Sequence, residues 1–350
     1  MPLAGRNADG ITAPMKTGPA LDLSALRAPT PPLLIALGHD GQALATAGGF
    51  RVRGGSDVFK LLPPGFAFDQ VNLSKQFLKQ RPRDVSQYRC ILNLVTDPDQ
   101  HPQTLNALKK LLRGYGGKVI NPPEAVLQST RDQVAKRLAG TPGLRVPKVV
   151  RLRPGKPDAA AQAIARAQIQ FPVILRQAGT HTGKIVGVFE RVDELLAALT
   201  GEGDHVATEF VNLQGADGLY RKYRVYFFGR RVVYRNLYVS DHWNVHSKDH
   251  VRCLAARPQL GKELLAMFIR PEGAFAQPVL KMFREVRARM PLDYFGMDFG
   301  FTPDGEAVLF EANATMSFFP SWRDMQFRYC LPPACEAFRE LVDGAISAPA

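Results

Sequence analysis

Two apolar runs joined by a tight turn constrain this chain more than any other feature. The first run, Phe-Gly-Met, leads into Asp298, and the second carries Glu311 and Asn313 two positions apart. Residues two apart on a strand point to the same face, so Glu311 and Asn313 are expected to project together. The Pro-Asp-Gly turn at 303–305 predicts a hairpin that brings Asp298 to the same place.

These three side chains are oxygen donors. Two carboxylates and one amide oxygen form a ligand set that suits Mg²⁺, which keeps its remaining positions for water and phosphate. The pattern therefore predicts a magnesium site at Asp298, Glu311 and Asn313. It also fits a hairpin whose polar groups face solvent, and the spacing alone does not separate the two.

The composition is that of an ordinary globular protein with room for two or three lobes. The chain has 350 residues, of which 45% are hydrophobic and 22% charged. No run reaches the roughly 18 apolar residues of a membrane span. The net charge of +13 attracts polyanions. Its basic residues are spread out and not interleaved with aromatic residues, which argues against nucleic acid and leaves a nucleotide as a candidate ligand.

The cysteines and the N-terminus bear on the compartment. Four scattered cysteines without metal-ligand spacing, and no export signal, predict a reducing cytoplasm. Residues 1–30 are rich in Ala, Pro and Gly and lack an apolar h-region, so we predict a disordered or loosely packed leader. The sequence does not decide whether the protein forms a homo-oligomer.

Hydrophobic periodicity predicts alternating strands and helices. Buried strands at 33–37 and 90–95, a helix at 103–114 and a strand from Lys118 predict a small parallel α/β lobe over 31–125. Further on, the pattern predicts helices at 129–140, 159–168, 193–199 and 277–289, and strands at 171–176, 185–190, 206–212, 223–228 and 231–239.

A glycine loop joins two of these strands. It runs from Arg176 through Gly179 and Gly183 to Lys184. Such a hairpin can offer backbone N–H groups to a phosphate chain, although an ordinary turn has the same pattern. No helical pattern follows Gly183, so neither a Walker A motif nor a dinucleotide fingerprint fits.

The order of these motifs resembles the ATP-grasp superfamily. A helix before a Val-Pro strand, the glycine-loop hairpin, a strand ending in Glu209, a strand with Arg224 and the Asp…Glu-x-Asn hairpin follow one another over roughly residues 119–320. The branch that it resembles most is that of glutathione synthetase and ribosomal-protein glutamate ligase. The resemblance implies two ATP-clamping α+β lobes, at 126–207 and 208–345, preceded by the α/β lobe at 31–125.

The resemblance also implies roles for single residues. Asp298, Glu311 and Asn313 match magnesium ligands that bridge the nucleotide phosphates. Nucleotide contacts are implied at Arg131, Arg176, Lys184 and the hinge residues Glu209, Phe210 and Val211. Catalytic roles near the transferred phosphate are implied at Arg224 and, in a Trp-Asn-Val-His stretch, at Asn244.

This sequence departs from the family pattern at three places. Arg131 and Arg176 stand where relatives usually have lysines, and arginine can still grip phosphate through two donors. Lys222 begins a Lys-Tyr-Arg stretch where many relatives have Asp-Ile-Arg, so the acceptor site is expected to differ. Ala-Thr follows Asn313 in place of Pro-Gly.

The implied function is an ATP- and Mg²⁺-dependent ligase that joins a carboxylate to an amine or a thiol through an acyl phosphate. Its substrate would be a small molecule or a peptide with a carboxylate, and the basic residues around Lys222 also suggest an acidic one. Two alternatives stay open. One is an ATP-grasp kinase for a small molecule, and the other is a non-catalytic nucleotide-binding relative that acts as a sensor or scaffold.

Overall fold

The computed structural model describes most of the chain beyond residue 30. The described residues are 31–41, 44–46, 49–51, 56–80, 84–180, 185–269, 273, 275–319 and 327–349. The predicted leader at 1–30 and the predicted phosphate contact at Lys184 lie outside them.

A four-stranded parallel sheet occupies the first part of the described chain. Its elements, with a separate hairpin (β2, β3), are β1 (Leu33–Leu37), β2 (Leu44–Thr46), β3 (Gly49–Arg51), β4 (Phe68–Asn72), β5 (Cys90–Asn93), α1 (Pro102–Leu111), β6 (Lys118–Ile120) and α2 (Pro123–Leu127), with 3₁₀ segments at Val58–Leu61 and Lys75–Gln80. The strand order is β4-β1-β5-β6, and all pairs are parallel. Helical crossovers bury the centre of such a sheet on both faces, which is why the two central strands, β1 and β5, are buried along nearly their whole length. The predicted parallel α/β arrangement is confirmed.

A second sheet is antiparallel and carries the glycine-loop hairpin. This part of the chain contains α3 (Arg131–Leu138), β7 (Leu144–Arg145), β8 (Val149–Leu152), α4 (Pro157–Ala167), β9 (Val173–Gln177), β10 (Gly187–Phe189), α5 (Val192–Ala198) and β11 (His205–Glu209). The strand order is β10-β9-β11-β8. Val173 and Leu175 of β9 are fully buried in a core with the helices. Because side chains alternate along a strand, Ile174 and Arg176 project from the opposite face.

A five-stranded sheet holds the predicted metal hairpin. The remaining elements are β12 (Tyr220–Phe228), β13 (Arg231–Ser240), α6 (Ser247–Ala256), α7 (Gln259–Ile269), α8 (Gln277–Arg289), β14 (Tyr294–Phe301), β15 (Ala307–Asn313) and α9 (Phe327–Ser347). The strand order is β13-β12-β14-β15-β7, and only β7 pairs in parallel. The turn between β14 and β15 has Gly305 at φ 85°, a conformation that glycine adopts without strain.

The apolar cores divide the fold unevenly. One large core joins the parallel sheet to the five-stranded sheet, from Leu33 in β1 to Phe295 in β14 and Phe338 in α9. A separate core belongs to the second sheet and its two helices. Polar bonds reinforce the first junction, because the amide of Asn121 accepts from the backbone N–H of Asp293 and donates to the carbonyl of Tyr294.

A cluster of ion pairs links the second sheet to the rest of the molecule. We call it the Arg151 cluster: Arg151 of β8 contacts Asp99, Asp132 and Asp204 at 2.9, 2.9 and 3.2 Å. Asp99 lies between β5 and α1, Asp132 lies in α3, and Asp204 precedes β11. One guanidinium therefore connects three separate segments.

Four helices were not predicted from the sequence. They are α2, α6, α7 and α9, whereas the predicted 277–289 helix is confirmed as α8. Helix α9 contains Pro332 and Pro333, which normally interrupt a helix. Cys330, Ala334 and Phe338 nevertheless recur every four residues and are buried, so packing stabilises this helix. Among the described residues, no helix combines the length and apolar character needed to cross a bilayer.

Candidate active site

A cavity of about 580 Å³ is lined by residues of both the second and the five-stranded sheet. Nine of the eleven site residues predicted from the sequence line it: Arg131, Arg176, Glu209, Phe210, Val211, Arg224, Asn244, Asp298 and Glu311. Asn313 lines a smaller neighbouring pocket that shares three of those residues with the cavity. Lys184, outside the described residues, stays a prediction.

Asp298 and Arg224 form a buried ion pair at one wall of the cavity. They lie opposite each other on β14 and β12, next to irregularities in strand register that re-aim side chains. Arg224 donates from Nε and Nη2 to the two oxygens of Asp298, at 2.6 and 2.7 Å. Burial disfavours the charged guanidinium, but the Asp298 carboxylate outweighs this and raises the pKa of Arg224 above its usual range.

Glu311 and Arg131 form a second ion pair. Glu311 lies opposite Asp298 in the β14–β15 register, and Arg131 reaches it from the first turn of α3. Arg131 donates to the Glu311 carboxylate and also, at 2.7 Å, to the carbonyl oxygen of Phe310. The two side chains are only 20% and 18% exposed, so the pair is partly shielded from solvent. Both predicted metal-binding carboxylates therefore have an arginine partner.

Asn313 has a structural role that the sequence did not indicate. Its amide oxygen accepts hydrogen bonds from the backbone N–H groups of Thr315 and Met316, both at 2.9 Å. Its amide nitrogen donates to Glu311 at 3.3 Å. The shared hydrogen bond agrees with the predicted common face of Glu311 and Asn313, and the other two fix the turn that follows β15.

The oxygen donors fit a magnesium ion in their chemistry. Asp298, Glu311 and Asn313 offer two carboxylates and an amide oxygen within one hairpin, the hard ligands that Mg²⁺ accepts. Within the described residues, no group of three or more His, Cys, Asp or Glu side chains has an arrangement that could hold a metal. A cation here would therefore depend on Asn313, water or a ligand oxygen. It would share the carboxylates with two arginines and the Asn313 oxygen with two backbone N–H groups.

Arg176 differs from these arginines because it has no carboxylate of its own. It lies on β9, and its side chain makes no hydrogen bond or ion pair with any described residue, although the charge of Glu311, the partner of Arg131, acts on it. Burial, with the nearby charge of Arg131, lowers the pKa of Arg176 to about 10, so it remains charged at neutral pH. An unpaired buried guanidinium is costly unless an anion accompanies it. Arg176 is thus ready to receive an anionic ligand.

Lys222 adds another cation on the same strand face as Arg224. Its Nζ atom lies 3.9 Å from Asp298 Oδ2 and 5.9 Å from the ring centre of Tyr238, the residue opposite it on β13. Burial lowers the pKa of Lys222, and the charge of Asp298 opposes this shift. We call Asp298, Arg224 and Lys222 the Asp298 cluster.

The predicted hinge is where the chain leaves the second sheet. Glu209 ends β11, and its carboxylate accepts from the backbone N–H groups of Lys148 and Gln170 at 3.0 and 2.9 Å. Its own N–H donates to the carbonyl of Lys148. The Glu209 side chain therefore fixes the backbone. Val211 lines the cavity, and its N–H makes no hydrogen bond within the described residues. A base edge could use that donor.

An aromatic wall continues from this hinge. The rings of Phe210 and Trp243 meet edge to face, with centroids 5.4 Å apart. Asn244 and His246 follow Trp243 on the loop between β13 and α6, and both line the cavity. Burial and the charge of Lys222 lower the pKa of His246. This wall offers apolar surface for a planar ring next to polar groups.

Several cavity residues were not among the predicted site residues, and three of them contribute a charge or a ring: Lys222, Tyr238 and Trp243. Lys222 lies two positions before Arg224, so strand alternation was a signal that could have placed it on the same face. Tyr238 becomes visible only once β12 and β13 are paired, because their register sets it opposite Lys222. Trp243 directly precedes the predicted site residue Asn244, but no sequence feature indicated that Trp243 itself would line the cavity.

Comparison with known proteins identifies the fold. No protein-family model matches the chain, and no curated protein matches it either. Solved structures match it over nearly its whole length. A RimK-domain ATP-grasp protein from Sphaerobacter thermophilus is 16% identical, with 89% of this chain and 100% of that chain covered and a TM-score of 0.50.

Two ligases give similar matches. The VanG D-Ala:D-Ser ligase of Enterococcus faecalis is 11% identical, covers 90% of this chain and 99% of its own, and has a TM-score of 0.51. D-alanyl-alanine synthetase A of Vibrio cholerae is 12% identical, covers 91% and 99%, and has a TM-score of 0.53. This chain has the ATP-grasp fold, as the sequence predicted. At such identities the likeness shows the fold alone.

Proposed function

We propose that this protein is an ATP- and Mg²⁺-dependent ligase that joins a carboxylate to an amine or a thiol. One observation carries the proposal: a single cavity is lined by Arg176, which forms no ion pair within the described residues, by the hinge residue Val211, and by the acids Asp298 and Glu311. An anion-binding cation, a donor for a base edge and oxygen ligands for a metal are the parts that a nucleotide triphosphate requires.

The residues divide the nucleotide among them. Phe210, Trp243 and Val211 would hold the base, and Arg176 and Arg131 would bind the phosphate chain. Asp298, Glu311 and Asn313 would hold Mg²⁺, which neutralises charge on the phosphates when bound. Lys184 remains a proposed phosphate contact.

Arg224 would act at the reacting end. In the proposed reaction a carboxylate oxygen of the substrate attacks the terminal phosphorus of ATP, and ADP leaves with the electrons of the broken P–O bond. The amine or thiol then attacks the acyl carbon, inorganic phosphate leaves, and the nucleophile loses its proton to solvent. Arg224, held in place by Asp298, is preorganised to stabilise charge that develops on the phosphoryl oxygens. Asn244 would donate to the phosphoryl group or the substrate from the facing loop.

One observation favours a second candidate, a nucleotide-binding protein without ligase activity. Arg224 and Arg131 already neutralise the carboxylates that would hold the metal. If those ion pairs persist with ATP bound, the cavity would bind nucleotide without a metal and would not transfer the phosphoryl group.

Nucleotide binding with and without Mg²⁺ tests the proposal. We expect ATP with Mg²⁺ to raise the melting temperature, since a ligand at about 100 times its Kd adds roughly 2.7 kcal/mol to the free energy of unfolding. Glu311→Gln should remove the Mg²⁺-dependent part of this shift. Asp304→Asn is the matched control, because Asp304 is an exposed acid in the turn of the same hairpin.

The outcomes separate the candidates. A melting temperature that ATP does not change would contradict both. A shift that is equal with and without Mg²⁺, with no ADP formed from pools of acids and amines, would favour the non-catalytic candidate. If Glu311→Gln behaves like Asp304→Asn, the metal assignment is wrong.

A further inference from the structure

The cations that line the cavity fall into two groups. Three have a carboxylate of their own: Arg224 with Asp298, Arg131 with Glu311 and Arg221 with Asp217. The other two are Arg176, which has no ion-pair partner within the described residues, and Lys222, which shares Asp298 with Arg224. The cavity thus holds two cations that have no carboxylate of their own, and Glu209, which also lines it, is held by backbone N–H groups.

Lys222 is not needed to neutralise Asp298. Both oxygens of that carboxylate are already held by Arg224 at 2.6 and 2.7 Å, whereas the ammonium group of Lys222 lies 3.9 Å away. The Lys222 side chain is 22% exposed and lines the cavity. A compact ammonium group with three donors in this position can bind a further anion.

The proposed reaction requires two anions to meet. A phosphoryl group and a carboxylate repel each other, and in a site of low dielectric constant this repulsion is strong. Arg176 lies on β9, and we propose that it binds the nucleotide phosphates. Lys222 lies on β12, two residues from Arg224, and is the cation without its own carboxylate at the reacting end.

We propose that Lys222 is a specificity-determining residue that binds the carboxylate of the acid substrate beside the Arg224–Asp298 pair. This inference rests on the proposed function, because the carboxylate is the group that ATP would activate. The neighbouring Asn244 and His246 line the same cavity and leave Lys222 as the cation on this side without an acid of its own.

Calorimetric titration with succinate tests the role of Lys222. The protein is first saturated with a non-hydrolysable ATP analogue and Mg²⁺, so that the nucleotide phosphates occupy their own contacts. We expect Lys222→Gln to weaken succinate binding by about tenfold, the loss typical of one charge-assisted hydrogen bond, with analogue affinity changed less than about threefold. Lys222→Arg keeps the charge and should retain most of the succinate affinity.

Lys281→Gln is the matched control, because it removes the same charge from an exposed position on α8. Equal succinate affinities in Lys222→Gln and Lys281→Gln, or no saturable succinate binding to the wild-type protein, would overturn the inference. The inference would also be wrong if the binding of inorganic phosphate depended on Lys222 and the binding of succinate did not, since Lys222 would then be a phosphate contact. Failure of the ATP analogue to bind would instead contradict the proposed function.

Discussion

Two charged clusters in this fold have opposite compositions. In the Arg151 cluster three aspartates surround one guanidinium, whereas in the Asp298 cluster two cations surround one carboxylate. The first connects three separate segments of the chain, and the second lines the cavity. Both have short ion pairs and limited exposure, so geometry alone would not distinguish them.

The difference lies in which sign is in excess. Three aspartates contact the Arg151 guanidinium, so this cluster has no cation left to bind an anionic ligand. Its role is to stabilise the fold. The excess of cations around Asp298, together with Arg176, gives the cavity two cations that have no carboxylate of their own. The comparison teaches that a candidate ligand site is recognised by its uncompensated charge and not by the number of its ion pairs.

Removing Arg151 should have the largest effect on stability. We expect Arg151→Met to lower the free energy of unfolding by about 3 kcal/mol, because it leaves partly buried carboxylates without a partner. Urea unfolding measures the loss. In the control, Arg153→Met, the loss should stay below about 0.5 kcal/mol, since exposed pairs contribute little. Arg153 is 72% exposed and lies 3.5 Å from Asp204. Equal losses would contradict the structural role of the Arg151 cluster.

Removing Arg176 should affect binding and spare the fold. Because Arg176 forms no ion pair within the described residues, we expect Arg176→Met to keep or raise the melting temperature without nucleotide. Affinity for an ATP analogue should fall about tenfold, as for the loss of one hydrogen bond to a charged group. Calorimetry and thermal melting measure the two effects. A destabilised variant with unchanged affinity would show that Arg176 has a structural role and that the comparison is wrong.

The pH dependence of stability should show the effect of the crowded aspartates in the Arg151 cluster. Burial, opposed by Arg151 and aided by Asp97 and Asp132, raises the pKa of Asp99 above its ordinary value. The folded state therefore holds this proton more tightly than the unfolded state. The resulting stabilisation is present below the unfolded pKa and is lost as pH rises through the folded pKa.

We compare the free energy of unfolding of the wild-type protein with that of Asp99→Asn. The difference, wild type minus variant, should become smaller as the pH rises above about 4. Urea unfolding at a series of pH values measures this small difference. A difference that increases with pH would mean that Arg151, and not burial, dominates the environment of Asp99.

Local patterns in the sequence were enough for much of the fold. The run at Leu33 and the hairpin at Gly305 were predicted because strand and turn preferences there agree with the packing. Helix α9 was missed because its stability comes from buried residues such as Phe338, which outweigh the effect of Pro332. That contribution depends on partners distant in the sequence, and periodicity over a short window does not show it.

The sequence predicted which residues would form the candidate site, but it did not predict the ion pairs between them. Strand alternation brought Glu311 and Asn313 to one face, and motif order selected Arg224. The bond from Arg224 to Asp298 depends on the register of two strands about 70 residues apart, and the one from Arg131 to Glu311 on the position of α3. Neither distance is encoded in a local pattern, so the charge balance of the cavity became visible only in three dimensions.

The separate core of the second sheet has a consequence for folding. Because its buried residues pack among themselves, this sheet can unfold locally without exposing the large core that joins the other two sheets. We expect its amide protons to exchange sooner than those of β14. Ligand binding would then be coupled to a local folding equilibrium, and an occupied cavity would protect the second sheet from local unfolding.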